Sequence, residues 1–320
     1  MTRKKRALLL AVPLALVAAA AAGGYLYRIE FVGAESYDED FYATVSATPT
    51  AAGRDAFTWD DYAAVLDAHV NDRGMVDYAG LKANRGRLDK AVRAMAALDL
   101  ETYRGWNEDR RLAFWINAYN ALTLKVIVDR YPIEAGLLSG LAYPKNSIRQ
   151  IPGVWTKIEF LVMGRKLTLD EIEHAIMRGQ DKKRVETFGR FDEPRIHMAL
   201  VCAAMSCPPL RGEPFRGDEL DAQLDDRTKR FLADAKKFRI DRDAGVVHLS
   251  SIFKWFGGDF APTYTPKAGF ESGGDAAERA VLRFVAGYLP KEDADYLKRG
   301  DYDVKYLDYD WSLNEWKMAG

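Results

Sequence analysis

The sequence predicts an α+β fold: a single globular domain with a central buried helix, several β-hairpins and surrounding helices. Three observations carry this. The middle of the segment from Glu108 to Tyr131 is apolar on nearly every side, as a helix buried on every side must be. Two pairs of short apolar runs flank tight turns, as hairpins do. No regular strand–helix–strand alternation is present, so a parallel doubly wound sheet is not expected.

The folded part is expected over residues 57–320. Thr58 can cap a helix through about His69, with Tyr62, Val65, Leu66 and His69 on one face. A turn at Asn71-Asp72-Arg73-Gly74 leads into a short strand, Met75 to Tyr78, and a second helix over Leu81 to Leu98. The central helix is stopped by Pro132, and 133–153 reads as irregular. Ile158 to Leu167 reads as a hairpin turning at Met163-Gly164-Arg165. Thr168 with Glu171 forms a capping box opening a helix that ends at Gly179. The charged stretch 180–194 reads as a solvated loop, and Ile196 to Ala203 as a buried strand or short buried helix. An amphipathic helix over Glu219 to Ala235, a hairpin around Arg242 to Gly245, a helical turn at Ile252 to Trp255, a helix over Ala276 to Tyr288 and a strand over Val304 to Trp311 complete the chain.

Composition bounds the function. Hydrophobic residues make up 48% and charged residues 29%, which is ordinary for a globular protein and excludes fibrous or largely disordered classes. The net charge of −1 conceals a basic leader, so the body is more acidic still and a poor candidate for nucleic-acid binding, which needs a basic face. Arg3, Lys4, Lys5 and Arg6 precede an uncharged run from Ala7 to Tyr27, long enough to cross about 30 Å of hydrocarbon. Residues 1–28 are therefore expected to be a signal peptide cut near Ala20-Ala21-Ala22, or a retained anchor that holds the membrane through residues 7–27. Residues 29–56 read as a linker. Either leader places the domain outside the cytoplasmic membrane, in the periplasm or on the periplasmic face of the inner membrane.

Candidate chemistry centres on Arg195 to Arg211, which holds both cysteines, Cys202 and Cys207, and His197. His197 and Cys202 are five residues apart and point to opposite sides of any regular element. A thiol–imidazole pair therefore needs Cys207 folding back on His197, or Cys202 meeting His174 from another helix. In an oxidising compartment the cysteines read equally as a disulfide, and Cys202 also as plain core packing. Glu173 falls on the apolar stripe of its helix with Leu169, Ile172 and Ile176, so it must be paired or protonated, with His174 and Arg178 as neighbours. It reads as a structural ion pair or as the carboxylate orienting a catalytic histidine. Asn117 and Asn120, on the apolar helix, either tie irregular backbone to it or line a substrate pocket. No metal-ligand spacing, phosphate loop or dinucleotide fingerprint is present, and no cofactor is implied.

Four motifs in order resemble one family: Phe114 to Leu122, Ile172 to Arg178, Arg195 to Cys202 with Ser206-Cys207-Pro208, and Phe253 to Phe260. They are similar to the family catalogued as domain of unknown function 547, and Tyr309 to Asn314 resembles the closing signature of its bacterial members. The likeness covers roughly 57–314. It implies an exported protein. Plant relatives match at Glu173, His174 and Cys202 but often have serine at the position of Cys207, which implies that Cys202 is the better candidate for a shared thiol. A distant likeness to papain-like and transglutaminase-like folds also follows from a central helix followed by a histidine-bearing strand, with Asn117 where such enzymes carry the nucleophile.

Two functions are therefore expected. The first is a thiol-dependent hydrolase or acyl transferase acting on peptide-like amides. In it Cys202 or Cys207 is the nucleophile, His174 or His197 the base, Glu173 the orienting carboxylate, and Asn117 and Asn120 the polar pocket for a small-molecule or peptide substrate. The second is a non-catalytic envelope domain, binding or structural, with a Cys202–Cys207 disulfide.

Overall fold

The computed structural model describes residues 57–136, 139–272 and 274–316. The leader and linker expected over 1–56 lie outside the described residues. Among the described residues no helix is long and apolar enough to cross a membrane.

The organising element is the helix Glu108–Arg130, whose side chains from Leu112 to Val128 are all buried. Asn107 caps it by accepting from the Arg110 N–H. Before it come α1 (Asp60–His69), α2 (Tyr78–Ala83), α3 (Gly86–Ala97) and α4 (Leu100–Arg104), which makes the central helix α5. Tyr62 of α1, Tyr103 of α4 and the flanking Trp59 and Trp106 form an aromatic cluster around Phe114 of α5. After α5 the chain passes α6 (Ser139–Ala142), the antiparallel hairpin β1 (Glu159–Val162) and β2 (Arg165–Thr168), and a π-helix over Glu171–Met177. It continues through α7 (Lys182–Phe188), a 3₁₀ turn over Pro194–Met198 and α8 (Leu220–Leu232).

The rest builds a second core. Strand β4 (Val246–Ser250) lies between β3 (Phe238–Asp241), antiparallel, and β5 (Asp303–Leu307), parallel. Helices α9 (Ser251–Phe256), α10 (Ala261–Tyr264), α11 (Ala276–Ala286) and α12 (Lys291–Arg299) surround that sheet, with a 3₁₀ turn Gly257–Phe260 between α9 and α10. One set of buried side chains gathers around α5 and a second around Phe253, Phe260 and Phe284, and Tyr309 packs against both. The two cores meet where the tail after β5 crosses the cysteine loop.

The α+β class, the central helix and both hairpins stand as the sequence predicts, and several details differ. Met75–Tyr78 is no strand: Val76 makes isolated bridges to Val70 and Glu315, and Tyr78 already opens α2. The single helix expected over Leu81–Leu98 is split into α2 and α3. The charged stretch 180–194 contains α7, capped by Asp181 and anchored by Phe188 alone. Ile196–Ala203 is neither strand nor α-helix beyond Met198. Its backbone is satisfied by a side chain instead of a ladder: Asn120 accepts from the Val201 N–H at 2.9 Å and donates to the Ala199 carbonyl at 3.0 Å.

Candidate functional site

A pocket of about 360 Å³ opens at the junction of the two cores. Its chemistry comes from three stretches far apart in sequence.

The first is the π-helix. Its entry is the expected capping box, with the Thr168 N–H donating to Glu171 at 3.0 Å and the Glu171 N–H to the Thr168 hydroxyl at 3.1 Å. The Arg178 N–H then reaches back five residues to the Glu173 carbonyl at 3.0 Å. This wider turn reduces the angle between successive side chains, and Glu173 and His174 both line the pocket. Glu173 does not pair with His174 or Arg178, the partners its spacing suggested. No cation lies against its carboxylate among the described residues. It faces the hydroxyl of Tyr119, whose pKa is driven well above its ordinary value, first by burial and then by the Glu173 charge.

Arg178 is committed elsewhere. It donates to both oxygens of Asp259, at 2.5 and 3.0 Å, and to His174 Nδ1 at 2.7 Å. A guanidinium only donates, so His174 Nδ1 accepts and the ring proton of the neutral imidazole sits on Nε2, which points toward Asp170 at 3.5 Å. The lone pair a general base would use is therefore occupied. His197 is held differently. Its ring stacks on Phe256 at 4.2 Å, its side chain is 1% exposed, and Nε2 donates to Asp259 at 2.8 Å. Burial alone would raise the Asp259 carboxyl, but hydrogen bonds from His197 and Arg178 outweigh it and hold the group well below the usual carboxylate range.

The second stretch is the cysteine loop. Cys202 and Cys207 are joined as a disulfide, with Cα atoms 6.2 Å apart, and no free cysteine remains among the described residues. Of the three readings of the cysteines (reactive thiol, disulfide, plain core packing), the structure adopts the disulfide. Both sulfurs line the pocket, and so does His197. His197 and Cys202 would diverge only on a regular element, and the backbone after Met198 is irregular, so both reach the pocket.

The third stretch is the C-terminal tail. Met205 N–H donates to the Ser312 carbonyl at 2.8 Å, Ser206 N–H to the Asp310 carbonyl at 3.2 Å, and Asp310 N–H to the Ser206 hydroxyl at 2.9 Å. This clamp sets Tyr309 over the disulfide and builds an aromatic wall. Trp255 lies 4.8 Å from Tyr309, Tyr309 lies 4.6 Å from Trp311, and Trp155 lies 6.2 Å from Trp311. Arg149 sits against that wall, 5.0 Å from the Trp311 ring and 5.5 Å from Trp155, with no carboxylate partner among the described residues.

The two asparagines are not part of this pocket. Asn117 donates to the Phe215 carbonyl and accepts from its N–H, both at 2.8 Å, and Asn120 holds 199–201. Each amide is used up by backbone. Among the described residues no group of three or more His, Cys, Asp or Glu side chains is placed to hold a metal ion.

Residues 103–232 match the family described as "Protein of unknown function, DUF547". No curated protein and no solved structure matches the chain. The matched segment holds α5, Glu173, His174, His197 and both cysteines. Trp255, Phe256, Tyr309 and Trp311 lie beyond it and complete the pocket, and Asp259, also beyond it, holds His197 and Arg178, so the site of this protein is wider than the matched segment. Asp259, Arg149 and Tyr309 are the functional candidates that sequence reasoning missed. Asp259 and Tyr309 fall inside the resembling motifs, and only their packing reveals a role.

Proposed function

We propose that this exported domain binds a small peptide-like ligand carrying both an ammonium and a carboxylate. One observation carries the reading: Glu173, a carboxylate with no cation partner among the described residues, and Arg149, a guanidinium with no carboxylate partner among them, border the same aromatic pocket. A half-buried charge is costly unless something neutralises it, and a zwitterion neutralises both ends at once. Trp255, Tyr309 and Trp311 offer ring faces to an apolar or aromatic side chain between those ends. The volume suits a ligand of dipeptide size. Calorimetric titration of the purified domain with Tyr-Ala, and with its N-acetylated and C-amidated forms, tests this. Blocking either end is expected to weaken binding roughly tenfold or more, as loss of a charge-assisted hydrogen bond does. Equal affinity for all three peptides sinks the proposal.

A second reading, thiol-dependent hydrolysis or acyl transfer at peptide-like amides, is favoured by His197, held by Asp259, lining the same pocket as Cys202. It requires the reduced protein. The Cys202 thiolate would then attack the amide carbonyl, the C–N bond would break as the leaving amine takes a proton, and water or an acceptor amine would cleave the thioester. His197, oriented by Asp259, is the better base, because the His174 lone pair is held by Arg178. Intact mass of the reduced domain after incubation with peptide p-nitroanilides tests this reading. An acyl adduct on Cys202, lost in Asp259→Asn, supports it; no adduct and no nitroaniline release dismisses it.

A further inference from the structure

We propose that the Cys202–Cys207 disulfide is a redox centre that exchanges with small thiols and dithiols entering the pocket. Such exchange depends on the surroundings of the two sulfurs and not on a zwitterionic ligand.

Those surroundings are unequal. Both cysteines border the pocket, but Cys207 is buried at 2% exposure while Cys202 is partly open. Neither sulfur of a disulfide carries a proton, so the Tyr309 hydroxyl must donate to them, at 3.1 Å to Cys207 and 3.4 Å to Cys202. The Cys202 backbone N–H adds a second donor to the Cys207 sulfur at 3.1 Å. Lys237 brings a buried ammonium onto the Cys207 carbonyl at 2.7 Å. Every donor to sulfur is thus directed chiefly at Cys207. Burial, and then the Glu173 charge, push the Tyr309 hydroxyl upward, so it stays protonated and remains a donor.

This asymmetry sets the direction of attack. The better leaving sulfur is the one whose thiolate is better stabilised. An incoming thiolate attacks the accessible Cys202 Sγ. The Cys202–Cys207 bond breaks, and its electron pair leaves on Cys207, where Tyr309 and the Cys202 N–H receive the charge. The external sulfur is now bonded to Cys202. The second thiol of an external dithiol, once deprotonated, attacks that external sulfur and releases Cys202 as a thiolate. The dithiol departs as a disulfide, two electrons have passed to the protein, and the protein thiolates take up the two protons the dithiol lost. The donors survive the step, because Tyr309 is held by the tail clamp and 199–201 by Asn120.

Stopped-flow reduction of the native domain by dithiothreitol, followed by alkylation and intact mass, tests the centre with a reagent that carries no charged ends. Reduction of the folded protein is expected to be complete without denaturant, and Tyr309→Phe is expected to slow it roughly tenfold or more. Single-cysteine variants read the asymmetry separately. With glutathione disulfide, Cys207→Ser, which keeps Cys202, is expected to form the mixed disulfide much faster than Cys202→Ser. A disulfide that yields only after unfolding, or equal rates for the two variants, overturns the proposal. Glutathione, a zwitterionic peptide thiol, then reports on the ligand reading alone: if it reacts no faster than a neutral thiol of similar basicity, exchange stands and the charged contacts do not assist it.

Discussion

Asn120→Ala is the perturbation whose size the structure fixes most closely. Asn120 is buried at 2% exposure in the middle of α5. Its amide serves both the Ala199 carbonyl and the Val201 N–H, and those residues are themselves buried. Alanine is too short to reach either group, and no strand ladder is at hand to replace it. Each orphaned buried group costs about 1–3 kcal/mol, so the loss is about 2–6 kcal/mol. Against a total stability of about 5–15 kcal/mol this is a large fraction. For a domain of this size it corresponds to a fall in Tm of very roughly 5–20 °C. Thermal and urea melts followed by circular dichroism measure it, with the urea m-value unchanged. Because the lost contacts position the cysteine loop, the dithiothreitol rate is expected to change as well. A destabilisation below about 1 kcal/mol would refute the reasoning. So would an intact fold combined with specific loss of ligand binding, which would return Asn120 to the pocket role.

Further predictions concern charge and core. Asp259 is held below the usual carboxylate range when folded, so it contributes stability at neutral pH that is lost as pH falls below its unfolded value near 4. Asp259→Asn should lower stability at pH 7 and flatten the acid limb of a stability–pH curve, and an unchanged limb would argue against the Arg178–Asp259–His197 chain. Trp115 is fully buried, donates to the Tyr103 hydroxyl at 2.8 Å and lies 5.0 Å from Phe188. Trp115→Ala should cost about 3–5 kcal/mol in chemical denaturation, and a loss under 2 kcal/mol would mean that this cluster collapses to fill the space.

Legibility followed how local each signal was. The boundaries of α5 can be read from Asn107, the unbroken apolar run and Pro132, because capping and burial on every side are written in consecutive residues. The hairpins and the Thr168–Glu171 capping box are equally local. Helix α7 was hidden because only Phe188 of it is buried, which leaves no apolar stripe to detect. Helix α12 was missed because Tyr296 and Leu297 alone mark its inner face. The parallel pairing of β4 with β5 joins residues more than fifty apart and leaves no spacing signature. The site illustrates the same limit. Sequence suggested that the Glu173-His174 helix and the cysteine stretch must meet, and they border one pocket. It could not show that Arg178 would turn from Glu173 to Asp259, because that choice depends on where the Gly257–Phe260 turn is docked. That Asn117 and Asn120 tie irregular backbone to α5 was one of the two roles the sequence offered, but which backbone they hold, Phe215 and 199–201, was not legible.

The most direct measurement is a charge-removal cycle on the pocket: Glu173→Gln, Arg149→Gln and the double variant, titrated with free, N-acetylated and C-amidated Tyr-Ala. The account predicts that Glu173→Gln removes only the preference for a free amino end, Arg149→Gln only the preference for a free carboxyl end, and the double variant both. Variants that bind all three peptides as the parent does would contradict it.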